Sequence, residues 1–262
     1  MRVLLTGAGG SIGRVLCEGL ADRGHEVVGL DLVPAPEGVT GAWHVADCAD
    51  PDAVAAVFDE ERIDAVAHFA GIPEERGLPE SLTSHVVTTA ALLDAMVEHR
   101  VTRIVFASSN HAVGRTPRQH LLTIDERPRP DTFYGVGKVA AEALLSLYAD
   151  RYAIDAVSCR IGSFTETPQD TRALSTWLSP DDCVRMVEAA LTAPAPGYAV
   201  LYGISANTRA WWDLEPGRRL GYQPLDDAEQ YAASVPAAEG DQDAAAHVGG
   251  AFAGRSVERP AF

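Results

Sequence analysis

Met1-Arg-Val-Leu-Leu-Thr-Gly7-Ala-Gly9-Gly10-Ser11-Ile12-Gly13 opens the chain. Residues 1–6 have the apolar run of a strand, the glycines after them mark a tight turn, and the residues from Ser11 onward read as a helix. Strand, glycine turn and helix in that order form a phosphate-binding unit, because bare backbone can approach a pyrophosphate lying at the positive amino end of a helix. In this reading Gly7 makes the turn, Gly10 clears space for the phosphates and Gly13 lets the helix pack closely on the sheet. Ser11 and Ile12 belong to the same cofactor-binding turn. The spacing, Gly-x-x-Gly-x-x-Gly, is a variant of the dinucleotide fingerprint with its middle glycine moved by one.

Outward from that turn, Glu26-Val-Val-Gly-Leu-Asp31 reads as a second strand ending in a carboxylate. A carboxylate there accepts hydrogen bonds from the adenosine ribose and repels a 2′-phosphate, and Leu32 rather than an arginine follows it, so NAD is expected rather than NADP. His44-Val-Ala-Asp47-Cys48 reads as the end of the third strand, with Asp47 and Cys48 beside the adenine.

Strand-length apolar runs near 1–6, 26–31, 42–45, 64–70, 101–108, 154–160 and 198–203 alternate with longer amphipathic stretches. That alternation predicts an α/β fold: a doubly wound parallel sheet with helices on both faces. Helices are expected over 51–62, with Asp50 as cap, and over 79–100, 134–151 and 180–193. At 262 residues and 47% hydrophobic content the chain suits a single domain over 1–230, with substrate-binding elements mainly in 162–215. Residues 231–262, rich in Ala, Gly and charge, read as a tail that is mobile or packs only locally. The stretch 79–100 is long enough to bear a subunit contact, and a homo-oligomer is expected.

A formal net charge of -16 argues against nucleic acid or an anionic membrane as partner. It leaves room for a small anionic substrate met by one arginine. Cys17, Cys48, Cys159 and Cys183 have no paired spacing, which suits reduced cytoplasmic thiols and implies no metal site. The chain shows neither a signal peptide nor an apolar run of membrane-spanning length, so a cytoplasmic location is expected.

Tyr134-Gly-Val-Gly-Lys138 places a phenol and an ammonium one helical turn apart. A cation within a few ångströms lowers a phenol's pKa by roughly 1–3 units, which would make Tyr134 a usable base. The fifth strand ends in Phe106-Ala-Ser108-Ser109-Asn110-His111 at the carboxyl edge of the sheet, where such folds bind ligands. There Ser109 can donate to a reacting oxygen while Tyr134 accepts its proton, so Ser109, Tyr134 and Lys138 form a unit suited to alcohol oxidation.

The glycine turn, Asp31, the Ser109 strand end and Tyr134-x-x-x-Lys138 together resemble the extended short-chain dehydrogenase/reductase superfamily, with its Rossmann fold and small carboxyl-terminal substrate region. Four further segments make a closer resemblance: Ser108-Ser-Asn-His111, Arg160-Ile-Gly-Ser163, Leu174-Ser-Thr-Trp-Leu-Ser-Pro-Asp-Asp182 and Gly203-Ile-Ser-Ala-Asn-Thr-Arg-Ala-Trp-Trp-Asp213 are similar to the uronate dehydrogenases. That resemblance implies a hexuronic acid substrate oxidised at C1 to an aldarolactone, with Tyr134 as base and Lys138 as its electrostatic support and a ribose ligand. It further implies Ser109, Asn110 and His111 on the sugar hydroxyls, and Ser163 and Arg172 on the substrate carboxylate, to which a guanidinium fork is suited. Pro73 stands where this family usually carries a serine, His85 where an asparagine is usual, and Phe164-Thr-Glu-Thr-Pro168 departs from the usual Pro-Glu-Pro run. Two other readings remain: an epimerase or dehydratase acting on a sugar or nucleotide sugar, and a non-catalytic NAD-sensing module.

Overall fold

Alternation along β1 (Arg2–Thr6) shows why the chain folds in layers: Val3 and Leu5 enter one core and Leu4 the other, each with 0% exposure. A strand buried on both faces must belong to an interior sheet covered by helices on both sides. The computed structural model describes residues 1–39, 41–119, 121–237, 245–254 and 260–262.

After β1 come α1 (Ser11–Ala21), β2 (Glu26–Asp31), β3 (Trp43–Val45), α2 (Pro51–Glu60), β4 (Ala65–His68), α3 (Leu78–Leu82), α4 (Thr88–His99), β5 (Arg103–Ser109), α5 (Phe133–Tyr152) and β6 (Asp155–Ile161). A two-stranded ribbon of β7 (Ser163–Phe164) and β8 (Trp177–Leu178) flanks α6 (Ala173–Thr176), and α7 (Pro180–Thr192), β9 (Tyr198–Gly203) and α8 (Glu215–Arg219) follow. The main sheet has seven parallel strands in the order β3-β2-β1-β4-β5-β6-β9, the doubly wound Rossmann arrangement. Leu16 and Leu20 of α1 and Val184, Met186 and Val187 of α7 fill one core. Phe58 of α2, Leu92, Leu93 and Met96 of α4, and Ala141 and Leu145 of α5 fill the other.

Local chemistry sets the helix ends. Asp50 accepts from the Asp52 and Ala53 amides at the start of α2, Thr132 from Gly135 at the start of α5, and Ser179 from Asp182 at the start of α7. The single helix predicted over 79–100 is instead α3, a π-helical turn at Thr83–Val87, and α4. Thr88 and Thr89 hydroxyls donate to the Ser84 and His85 carbonyls at 2.7 and 2.6 Å, supplying those carbonyls with side-chain partners where the ladder widens.

A third apolar cluster, Val113, Leu122, Tyr202, Ile204, Trp211, Trp212 and Val248, roofs the carboxyl edge of β6 and β9. Val248 lies in the stretch that the sequence assigns to a loose tail. Described residues 245–254 are instead docked on residues far away in sequence: Val248 donates to Thr116 at 3.0 Å and Gly249 to Gly114 at 2.9 Å. Composition hides this because the anchoring is by backbone and a single buried valine. Residues 238–244 and 255–259, also part of that expected tail, lie outside the described residues. Among the described residues no helix is long and apolar enough to cross a membrane, and no group of three or more His, Cys, Asp or Glu is placed to hold a metal ion.

Under the carboxyl edge, α5 is tied to β6 by a buried ion pair. Arg160 Nε and Nη2 donate to Glu142 Oε1 and Oε2 at 3.0 and 2.8 Å, and the Ser108 hydroxyl donates to the same carboxylate. Glu142→Ala leaves a buried guanidinium unpaired and is expected to lower stability by roughly 3–5 kcal/mol. Denaturant titration checks this, and an unchanged midpoint would show that the pair contributes nothing.

Candidate active site

Strand order reverses between β1 and β4, so the loops after these two strands part and leave a crevice at the carboxyl edge. The glycine turn lies in it. Gly7 has φ +69°, and a Cβ on it would sit 2.7 Å from the backbone of Phe69 and Ala70. A Cβ on Gly13 would fall 2.1 Å from the Gly7 carbonyl oxygen, so α1 can start this close to the turn only with glycine there. On Gly10 the nearest atom would be 3.2 Å away and the rest is open cleft, the bare backbone that an approaching phosphate requires.

One cleft of about 450 Å³ runs from this turn toward β2 and is lined by Gly7, Gly9, Gly10, Asp31, Asp47, Cys48 and, from the β4 side, Ala70, Gly71 and Ile72. Asp31 Oδ2 accepts from the Gly9 amide at 2.8 Å, which fixes its carboxylate at the cleft wall. The Cys48 thiol is pushed up to about 12, chiefly by burial, and is an inert wall group. A second cleft of about 320 Å³ shares Gly7, Gly10 and Gly71 with the first. It is lined by Ser11, Ile12, Gly13, Pro73, His85, Ser109, Tyr134 and Lys138. The structure therefore joins the glycine turn, the Asp31 carboxylate and the Ser109, Tyr134 and Lys138 unit along one continuous crevice. Bare turn, fixed carboxylate and adjoining clefts fit an extended dinucleotide.

Tyr134 and Lys138 lie in the first turns of α5, and Thr132 caps that helix at its start. The Lys138 ammonium donates to the Ala107 carbonyl at 2.6 Å, 4.9 Å from the Phe106 ring centroid and 5.4 Å from that of Tyr134. The expectation that this cation makes the phenol easy to ionise needs correction. Burial pushes Tyr134 up to about 12, opposed by its hydrogen bond with Ser109. The same burial pulls Lys138 down from 10.5 to about 7, with Glu142 opposing. Desolvation of both groups outweighs their attraction. Beside them His85 is pulled down to about 2 by burial and by Lys138, so it is a neutral imidazole, its ring 5.0 Å edge-on from that of Tyr134.

Of the residues expected on the substrate, Ser109 lines the second cleft, while Asn110, His111, Ser163 and Arg172 are not among its lining residues. Ser109 Oγ accepts from the His111 amide at 3.1 Å and donates to Asn110 Oδ1 at 3.2 Å, so one short turn after β5 sets all three side chains. The His111 ring stands 5.9 Å from that of Tyr134, and its Nδ1 lies 2.9 Å from Asp131, whose side chain is fully buried. Ser163 shares a hydrogen bond of 2.8 Å with Thr176, and Arg172 Nη1 reaches Ser163 Oγ at 3.5 Å. Three participants escape sequence reading. Asp131 carries a signal only after β5 and α5 are placed, Glu75 accepts from the Phe133 and Tyr134 amides at 2.8 and 3.0 Å from a loop with no motif, and Val248 lies in the compositional tail.

Fold and site together define a dinucleotide-dependent protein of the extended short-chain dehydrogenase/reductase type. The chain belongs to the NAD dependent epimerase/dehydratase family, which it matches over residues 3–179. It is 39% identical to the uronate dehydrogenase of Pseudomonas syringae pv. tomato over 256 residues, 96% of this chain and 92% of that one. The solved uronate dehydrogenase from Agrobacterium tumefaciens superposes with a TM-score of 0.89 at 36% identity, covering 100% of this chain and 98% of that one. A mutant of that enzyme complexed with NAD matches equally well, at a TM-score of 0.89.

Lys138 also has a thermodynamic signature. Its pKa falls from 10.5 to about 7 on folding, so between those pH values the unfolded chain holds a proton that the folded chain has lost, and stability rises with pH across that window. At and below pH 7 the cost of the buried charge is largest. Lys138→Met is therefore expected to melt above the unaltered chain at pH 7, with the gap closing as pH approaches 10.5. A variant that melts lower at every pH would refute the buried-charge account.

Proposed function

We propose that this chain is an NAD-dependent uronate dehydrogenase, oxidising a cyclic hexuronic acid at C1 to the aldarolactone. The observation that carries this reading is the joining of Ser109, Tyr134 and Lys138 to a glycine turn and Asp31 along one crevice; Arg172 reaches Ser163, whose neighbours Gly162 and Phe164 line that crevice. The 39% identity over almost the whole length of a named uronate dehydrogenase supports it.

NAD bound along the crevice supplies the acceptor for the hydride leaving C1. The protein moves the proton. Tyr134, as base, takes it from the C1 hydroxyl while Ser109 donates to the same oxygen and holds it in line, so that C1–H and O–H break as the ring C=O forms. Lys138 supports the phenolate and binds the ribose. Its ammonium, held by the Ala107 carbonyl, cannot turn away. Burial disfavours the charged form of both groups, and a cationic nicotinamide, when held in the crevice, would favour the phenolate through Coulomb attraction. Gly7, Gly10, Ser11, Ile12 and Gly13 receive the pyrophosphate, Asp31 the ribose, and Asp47 and Cys48 border the adenine. Asn110 and His111 meet sugar hydroxyls, with Asp131 fixing the orientation of the His111 ring. Arg172, half-buried and with its charge set against Asp170 and Asp131, meets the substrate carboxylate beside Ser163.

An epimerase acting on a nucleotide sugar would share Tyr134 and Lys138. It would also need room for a nucleotide beyond β9, where the described residues add only α8 and short turns. We place the protein in the cytoplasm on its four free thiols. We also place a contact between identical subunits on the stretch 79–100, where Val87 is 42% exposed. Light scattering of the purified chain reads the mass, and a monomer at micromolar concentration removes that contact.

Galacturonate and glucuronate with NAD are expected to generate NADH absorbance, while galactose and glucose are not, because only the acids satisfy Arg172. Equal rates for acids and neutral sugars would overturn the carboxylate assignment. Tyr134→Phe is expected to lower turnover by roughly 10²–10⁴ with NAD affinity retained. A variant that still turned over at the original rate would remove Tyr134 as base.

A further inference from the structure

Residues 246–253 pack directly against Arg172, which reaches Ser163 between the cleft residues Gly162 and Phe164. Arg172 Nη2 donates to the Val248 carbonyl at 2.8 Å while Nη1 reaches Ser163 Oγ at 3.5 Å. A guanidinium is planar, so pinning both arms of its fork fixes the plane it presents. One pin is on β7 and the other on this segment.

Two adjacent glycines make the approach possible. Gly250 has φ +61°, and a Cβ there would fall 2.4 Å from Arg172 Nε. A Cβ on Gly249 would fall 1.7 Å from Asp131 Oδ2, and Gly114, its backbone partner, is equally bare against the same carboxylate. The segment is thus wedged between Arg172 on one side and the Asp131 carboxylate that holds His111 on the other. Its hold on the rest of the fold is real: Val248 and Ala253 are 0% and 2% exposed, the Arg118 amide donates to Ala246 at 2.7 Å, and the Arg115 side chain donates to the Ala253 carbonyl. Phe252 completes the wall, its ring 5.2 Å edge-on from that of His111, which in turn stands beside Tyr134.

We propose that residues 246–253 are a positioning element of the substrate site: Val248 and Gly250 hold Arg172 in the plane that receives a sugar carboxylate, and Phe252 closes the wall beside His111. The inference rests on the assignment of Arg172 to the carboxylate. A segment that merely stabilised the fold would affect all kinetic constants through the amount of folded enzyme. A positioning element acts on the acid substrate alone, and only through Arg172.

The test uses the full chain with Gly250→Val, Arg172→Ala and the double variant, measuring kcat, KM for galacturonate and for NAD, and melting temperature. Gly250→Ala is run beside them as the smaller change and replaces Gly250→Val if NAD affinity falls. Loss of one well-aligned charged hydrogen bond corresponds to about a tenfold effect, so the Gly250 variant is expected to raise KM for galacturonate about tenfold with KM for NAD unchanged. In the Arg172→Ala background the same substitution is expected to add nothing, since the two act through one contact. An unchanged galacturonate KM in the Gly250 variants, or a full additional loss in the double variant, overturns the inference while leaving the Arg172 assignment intact. If Arg172→Ala itself leaves galacturonate KM unchanged, the carboxylate assignment fails and the inference falls with it.

Discussion

A buried ammonium with no carboxylate of its own is the constraint around which the site is arranged. Lys138 lies one turn before Glu142 on α5, the spacing of a helical ion pair, but the Glu142 carboxylate is taken by Arg160 and Ser108. The ammonium therefore turns to the Ala107 carbonyl at the end of β5 and to the rings of Phe106 and Tyr134. That arrangement costs stability and keeps a cation free of a carboxylate next to Tyr134, the phenol proposed as base. A carboxylate partner would have quenched it. The Arg160 and Glu142 pair thus leaves Lys138 with the Glu142 charge near but, among the described residues, no direct carboxylate contact.

The same economy of partners governs the imidazoles nearby. His68, fully buried between the Thr6 and Thr89 hydroxyls at 2.7 and 3.2 Å, is pulled down to about 3 by burial and by Lys138. His85 is neutral for the same two reasons. Burial, reinforced by Lys138, keeps both rings neutral at neutral pH, so they offer shape but no charge. His111 is held differently, by a buried carboxylate on the far side of Tyr134. The site is in this way divided into a cationic half around Lys138 and a half organised by Asp131.

Much of this was legible from the sequence because it depends on local pattern. The glycine turn, the Asp31 strand end and the one-turn spacing of Tyr134 and Lys138 each follow from backbone geometry within a few residues, and the structure unites them as that geometry requires. The Trp-Leu-Ser-Pro-Asp-Asp run was recognisable, but its work is structural: Ser179 caps α7, and Asp182, fully buried, accepts from the Leu225 and Asp226 amides at 2.9 and 3.0 Å. What escaped is long-range or energetic. The π turn depends on two threonine hydroxyls whose effect is not periodic, and the elevated Tyr134 pKa depends on how deeply the whole site is buried. The docking of 246–253 rests on glycines that composition reads as disorder, although two adjacent glycines are also what a backbone needs to pass between two charged side chains.

Pro73 and His85, the two departures from the uronate dehydrogenase pattern, bear on where selectivity can reside. Both line the cleft beside Tyr134, yet proline carries no donor, and both ring nitrogens of His85 are buried without a hydrogen-bond partner. This wall accordingly presents shape and little exposed hydrogen-bonding capacity to a sugar. In the proposed reading, discrimination between hydroxyl arrangements falls to Ser109, Asn110 and His111, and discrimination between acid and neutral sugar to Arg172. Ser109 itself lines the second cleft, whereas Asp131 and Val248 are not among the lining residues of either cleft. On that proposed reading, Arg172 and its supports lie in parts of the chain separate from the glycine turn. A substitution such as Pro73→Ser can add a sugar contact at the wall without disturbing either the glycine turn or the Arg172 end.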